Sequence, residues 1–256
     1  MFFLCPKHTD IKYFLKFPTE KIILMNAELI LKFLEDIANN NNRNWFNANK
    51  DYYEKARDEF ERGVYELIVR ISTFDTSISH LSIKDVTYRF YRDTRFSQDK
   101  SPYKRHFGAY IAAHGKKAFH GGYYIHLEPG NCFIACGAYS LPMNILTACR
   151  NEIMANIDEW LKCVENKEFL CYYGVADDSA IDLGRGFGID KLKTRPAGFP
   201  ADYNYINYLR MKDYCCWHHV NDNFFGNANW LDNVELMFKA AKPMLDFVNS
   251  VVDDYE

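Results

Sequence analysis

Three arginines and a lysine within twelve positions, Arg89, Arg92, Arg95 and Lys100, are the residues of this chain best suited to hold an anion. They belong to the run Arg89-Phe90-Tyr91-Arg92-Asp93-Thr94-Arg95-Phe96-Ser97-Gln98-Asp99-Lys100-Ser101-Pro102-Tyr103. Between Lys84 and Arg105, seven basic residues outnumber three acidic ones, so 22 positions carry +4 in a chain whose formal net charge is −3. A planar guanidinium can meet a phosphate or carboxylate through two parallel hydrogen bonds, and each charge-assisted bond contributes about 1.5–3 kcal/mol. Asp93 and Asp99 could hold the guanidinium groups in place, and Tyr103 offers a hydroxyl donor. An arginine buried without any anion costs several kcal/mol, so a carboxylate of the protein or a ligand must lie nearby. The same spacing also suits an ion-pair network that ties a loop to a sheet. Both readings stay open at this level.

Histidine is the next chemical signal. His106, His114, His120 and His126 fall within 21 residues, on or between neighbouring expected strands. A histidine beside an arginine-bound phosphoester can act as general acid or base near neutral pH. His126 is the best placed, because it shares a strand face with Tyr124 and Tyr139. The candidate catalytic groups are therefore His126, Asp93 and Tyr103, against the plainer reading of hydrogen-bonded strand histidines. The run Cys215-Cys216-Trp217-His218-His219 suggests metal chemistry, but in an extended strand Cys215 and His219 face one way while Cys216 and His218 face the other. Only two donors would meet any one ion, so no metal site is expected. Gly184-Arg185-Gly186-Phe187-Gly188 lacks both the P-loop ending and the dinucleotide spacing, and reads as a flexible loop. Asp177, Asp178 and Asp182 do not match a calcium loop. Serine-hydrolase and zincin motifs are missing, and nothing in the pattern names a cofactor.

Composition narrows the class. Lys plus Arg total 31 and Asp plus Glu 34, which argues against a protein that coats nucleic acid. A non-enzymatic module that grips nucleic acid or an acidic partner remains the alternative, using the basic strip with Tyr88, Tyr91 and Phe96 between its charges. Lys7, Asp10, Lys12, Lys16, Glu20 and Lys21 interrupt the first 24 residues, so no secretory signal is expected there. The uncharged run Pro129–Cys149 contains two prolines and two glycines, and suits a hairpin better than a bilayer span. The eight cysteines include no Cys-x-x-Cys pair. A cytoplasmic protein without membrane contact is expected.

The elements that must position these groups follow from periodicity. A helix is predicted over Ala27–Asn39 with Asn26 as its cap, and the four-asparagine run Asn39–Asn42 should stop it through left-handed backbone. A second helix fits Ala48–Ile71, with further helices over Asn144–Asn156, Ile157–Glu165 and Trp230–Ser250, the last kinked or interrupted by Pro243. Strands are predicted over Val86–Arg92, Phe107–Ala113, Gly122–Leu127, Cys132–Tyr139 and Met211–Val220, and Asp177–Pro200 is expected to be loop. Glu128-Pro129-Gly130-Asn131 makes a turn that sets His126 opposite Phe133 and Tyr124 opposite Ala135. Ile125, Leu127, Cys132, Ile134 and Cys136 then form the apolar face of the hairpin. Consecutive strands between terminal helices define an α+β fold, an antiparallel sheet of about four to six strands packed with N- and C-terminal helices. Residues 1–24 read as an N-terminal extension, with Met25 an alternative start, and residues 25–256 as a single domain.

The segment Arg89, Arg92, Asp93, Arg95, Phe96, Asp99, Lys100 and Tyr103 resembles the hallmark of a bacterial family, the domain of unknown function DUF2461. Asn42-Arg43-Asn44-Trp45-Phe46, Gly121-Gly122-Tyr123-Tyr124-Ile125-His126-Leu127 and Leu192-Lys193-Thr194-Arg195-Pro196-Ala197-Gly198-Phe199 are similar to further stretches of it. The resemblance covers about Ala27 to the C-terminus and implies single-domain architecture. It brings no activity with it.

Overall fold

A computed structural model describes residues 25–177 and 184–255. The extension expected over residues 1–24 lies outside the described residues, as do Asp178 and Asp182. Helix α1 spans Ala27–Asn39 and is capped by Asn26, whose side-chain oxygen accepts from the Leu29 amide at 3.0 Å. Ile30, Phe33, Leu34 and Ile37 make its buried stripe. The asparagine run ends α1 by side-chain bonding rather than by left-handed backbone, since Asn40 and Asn42 keep negative φ. Asn40 donates to the Asp36 carbonyl, and Asn42 caps a short helix α2, Arg43–Ala48, that the periodicity does not announce. Helix α3 then runs from Lys50 to Ser72.

The segment expected as a strand over Val86–Arg92 is a correction. Ser82 and Asp85 bond each other in a capping box that starts a one-turn helix α4, Ile83–Val86. Beyond it a single bridge joins Thr87 to Ala109 of the sheet, and a second, Tyr91 to Tyr103, lies within the segment itself. Backbone bonds from Arg92 to Pro102 and from Lys104 to Phe90 close the arginine segment into a loop.

The sheet has five strands: β1 Phe107–Ile111, β2 Gly122–Leu127, β3 Cys132–Ala138, β4 Arg185–Phe187 and β5 Tyr214–Val220. Every pairing is antiparallel, in the order β1-β2-β3-β5-β4. Gly130, at φ +74°, takes the left-handed position of the β2–β3 turn, and the register sets His126 against Phe133 and Tyr124 against Ala135 as the turn chemistry requires. β4 falls inside the stretch expected as loop; three residues are too few to carry a period.

Ile125, Leu127, Cys132, Ile134 and Cys136 are each at most 1% exposed and form the sheet's apolar face. The last helix packs on β3, and α3 reaches β1 and that helix. α5 Met143–Ala155, α6 Ile157–Val164 and α7 Lys167–Tyr173 lie between β3 and β4, α8 Ile206–Arg210 between β4 and β5, and α9 Trp230–Val252 follows β5. α9 runs through Pro243 as one element. Buried Ala240, Ala241, Met244 and Leu245 anchor it on both sides of the proline, and that burial outweighs one lost backbone bond. Among the described residues no helix is long and apolar enough to cross a membrane.

Asn41 does the most specific work in the asparagine run. Its amide donates to the Tyr103 carbonyl at 3.0 Å and its oxygen accepts from the Tyr103 amide at 3.1 Å, pinning the arginine loop to the α1–α2 junction. Asn41→Ala removes both bonds from a part-buried backbone, and urea unfolding should show a loss of about 1–3 kcal/mol.

Candidate functional site

Within the arginine loop the charges meet partners of their own. Arg92 donates to Asp99 at 2.5 Å, with Ser97 Oγ and the Ser101 carbonyl each at 3.3 Å. Arg95 forms a forked pair with Asp93 at 2.7 and 3.0 Å, and Lys100 donates to the Thr94 carbonyl at 2.9 Å. Ser101 also donates to Asp99 through its amide and hydroxyl, and these bonds, with Arg92, hold the Asp99 carboxyl well below the usual range. Tyr103 is 2% exposed and stacked on Phe46 at 4.1 Å between ring centroids, which makes it part of the core. Arg92 and Arg95 thus point to different carboxylates. Arg89 has no carboxylate in hydrogen-bond contact among the described residues, though its charge helps to lower the pKa of Asp93; it shares a small hollow with Glu61, Lys104 and His106.

The hollow that gathers polar groups is elsewhere, on the sheet face that α9 leaves uncovered. A cleft of about 470 Å³ opens there, with Tyr88, Lys104, His106, Tyr110, Tyr124 and Phe133 in its wall. Lys116 and Tyr139 line it as well. The pleat explains the set: Tyr110, Tyr124 and Ala135 are aligned across β1, β2 and β3, so all three project to one side. Among the described residues, no aspartate or glutamate lines this cleft.

Neighbouring cations act on Lys104. Lys104 and Lys116 place their ammonium groups 5.0 and 5.5 Å from the Tyr88 ring centroid. Burial, with Arg89 and Lys116 close by, lowers the pKa of Lys104. Burial likewise lowers that of Lys116, which donates to the Lys84 and Thr87 carbonyls at the end of α4.

Below the cleft floor runs a hydrogen-bond chain. The Tyr124 hydroxyl lies 2.8 Å from His126 Nδ1, His126 Nε2 lies 3.2 Å from Glu128 Oε2, and Asn131 donates to the same oxygen at 2.7 Å. Burial lowers the pKa of His126, more than Glu128 restores it. Burial acts to raise that of Glu128, but the bonds from Asn131 and His126 bring it below the ordinary value. A neutral imidazole beside a carboxylate carries its proton on Nε2, so Tyr124 donates to Nδ1. Gly108 makes this possible, because a Cβ there would lie 2.5 Å from the Tyr124 hydroxyl oxygen. His126 thus reaches the cleft through Tyr124, whereas Asp93 and Tyr103 are not part of its wall.

His106 stacks on His126 at 4.4 Å between centroids, and His126 on Phe133 at 4.5 Å. On β5, Cys215 faces the cleft while the Cys216 thiol donates to the Cys136 carbonyl on the core side. Burial pushes the Cys215 thiol well up, which keeps it protonated. His218 contacts the Tyr172 carbonyl at 2.6 Å. Sequence reasoning reached His126 and its face, but not Lys104, Lys116 or Tyr110. The signal for Lys104 was its place in the same basic stretch, which gave no reason to separate paired cations from unpaired ones; Lys116 lies beyond that stretch.

An α+β protein whose antiparallel sheet keeps one face for the core and the other for a cationic, aromatic cleft is the class these features define. The chain belongs to the family DUF2461, described as a conserved hypothetical protein, whose profile matches residues 29–247. No curated protein and no solved structure matches it.

Burial, with His126 and Lys104 near, lowers the His106 pKa from 6.5 to about 4. The unfolded chain therefore binds this proton first on acidification: the stability is fully present above pH 6.5 and is lost as the pH falls to about 4. Urea midpoints measured across this range should show a loss on the order of 2 kcal/mol that His106→Gln flattens, after allowance for partial exposure. His126 and His218, also lowered by burial, supply the residual slope.

Proposed function

We propose that residues 25–256 act as a single domain that binds a small ligand bearing a phosphate or carboxylate in the open-face cleft. One observation carries this reading: Lys104 and Lys116 stand at a concave aromatic surface whose wall holds no carboxylate, with Arg89 beside Lys104 in an adjoining hollow that also holds Glu61. A lysine whose proton affinity is lowered by neighbouring cations is relieved by an anion placed beside it. Tyr88, Tyr124 and Phe133 offer flat surfaces for the body of the ligand. In this reading Arg89 faces the anion, while Arg92, Arg95 and Lys100 hold the shape of the loop that carries it. The chain behind Tyr124 adds a route for processing the ligand. The phenol oxygen takes a proton from a bound hydroxyl or amine, its own proton moves to His126 Nδ1, and Glu128 holds the resulting imidazolium. The setting we assign is the cytoplasm, where the seven described cysteines stay as thiols.

Melting temperatures measured with inorganic phosphate, a sugar phosphate, a nucleoside monophosphate and a dicarboxylate test this. At a hundredfold excess over its Kd, a true ligand stabilises by about 2.7 kcal/mol. Lys104→Met should abolish the shift and Arg95→Ala should keep it. A parent protein indifferent to every anion, or equal loss in both variants, overturns the reading.

A second reading is favoured by the surface beside the loop. Phe96 is 96% exposed with Arg95 5.8 Å from its ring centroid, and Tyr88 and Tyr91 are also exposed. Alternating aromatic and basic groups suit a single-stranded nucleic acid. Binding that weakens steeply with salt and with Phe96→Ala supports it, and binding indifferent to salt disposes of it.

A further inference from the structure

Asp253 is 133 residues from His120 in sequence, yet one donor atom from each of His114, His120 and Asp253 lies within 4.8 Å of the other two. His114 sits in the turn after β1, where Gly115 at φ +80° reverses the chain, and His120 immediately precedes Gly121 and β2. Asp253 is the residue that ends α9. The two imidazole rings lie 3.9 Å apart between centroids and 5° from parallel, and His120 Nε2 is 2.7 Å from Asp253 Oδ1.

This meeting point is held from several sides. Asn249, one turn before Asp253, accepts from the Gly121 amide at 2.7 Å and donates to the Gly121 carbonyl at 3.3 Å. The end of α9 is thereby clamped to the residue next to His120. The Tyr110 hydroxyl donates to the His120 carbonyl at 2.9 Å, which fixes the same point from the cleft side. His120 itself is 4% exposed.

Electrostatics asks for a cation here. The C-terminal end of a helix carries partial negative charge, and carboxylates placed there are unfavourable. α9 has no basic residue in its last turn and is followed directly by Asp253 and Asp254.

We propose that His114, His120 and Asp253 bind a divalent first-row transition metal, zinc by the character of the donors. Two imidazole nitrogens and one carboxylate oxygen are borderline donors that suit this ion, and three protein ligands leave positions open for water or a ligand. His120 is also part of the cleft wall, so the ion would be held beside the cleft. The inference does not depend on the anion reading: the clustered donors and the helix end carry it.

The test uses the full chain freed of metal by chelation, then titrated with zinc by calorimetry and with cobalt(II) by absorption spectroscopy. One ion per chain is expected, with a metal-dependent rise in melting temperature and cobalt bands typical of nitrogen and oxygen donors. Loss of an outer-sphere partner commonly weakens a metal site by about 10–100-fold, so loss of a direct ligand in His114→Ala or Asp253→Asn should cost about tenfold or more. His114 and Asp253 are exposed, so these variants should keep the fold, checked by unchanged melting without metal. Asp254→Asn and His80→Ala should bind like the parent. The proposal is overturned by no stoichiometric binding, by cobalt–thiolate charge transfer that places the ion on cysteines, or by equal weakening in Asp253→Asn and Asp254→Asn.

Discussion

The register between β2 and β3 is the constraint on which the other features hang. A slip of one residue would turn Ile125, Leu127 and Ile134 outward and bring Tyr124, His126 and Phe133 against α9. The turn at Glu128–Asn131 prevents this, and Glu128 serves both sides of the arrangement. Its carbonyl accepts the Asn131 amide that closes the turn, while its carboxylate accepts from Asn131 and holds His126. The same few residues therefore align the core and aim the hydrogen-bond chain at the cleft.

Charge is distributed in two different ways along one basic stretch. In the loop from Arg92 to Ser101, aspartates two and seven residues from an arginine fold back and neutralise it locally. Those ion pairs are largely exposed, so they shape the loop more than they stabilise the protein. Lys104 and Lys116 lie on either side of β1 with the Tyr88 ring beside both ammonium groups, and Lys116 is further held by the Lys84 and Thr87 carbonyls with Asp85 near. Their charge therefore faces an aromatic surface without a carboxylate in its wall.

The face opposite the helices also gathers most of the protein's clustered histidines. His106, His126, Phe133 and His219 form a row of rings across β1, β2, β3 and β5, where neighbouring centroids are 4.4–5.5 Å apart. His120, in the cleft wall, forms a second pair with His114. Burial keeps His106 and His126 neutral at physiological pH, so the row behaves as a polarisable floor rather than as further positive charge. That leaves the lysines as the source of the cleft's field.

Much of this was legible in the residues. The 3.6-residue stripe of α1, the Asn26 cap, the alternation through Gly122–Leu127 and the Pro-Gly turn are local signals, and local backbone preferences determine them. They sufficed for the α+β architecture, the register of the central hairpin and the face of His126. The Val86–Arg92 segment went otherwise because a capping box and a loop closure outcompeted β propensity, and α2 was hidden because its cap came from an asparagine run that reads only as a stop. Which arginines would be neutralised, which lysines would be left over, and that α9 would bring Asp253 to His114 and His120 were decided by tertiary structure alone. Those outcomes depend on distances between side chains far apart in sequence, and such distances exist only once burial of the apolar face has set the helices on the sheet.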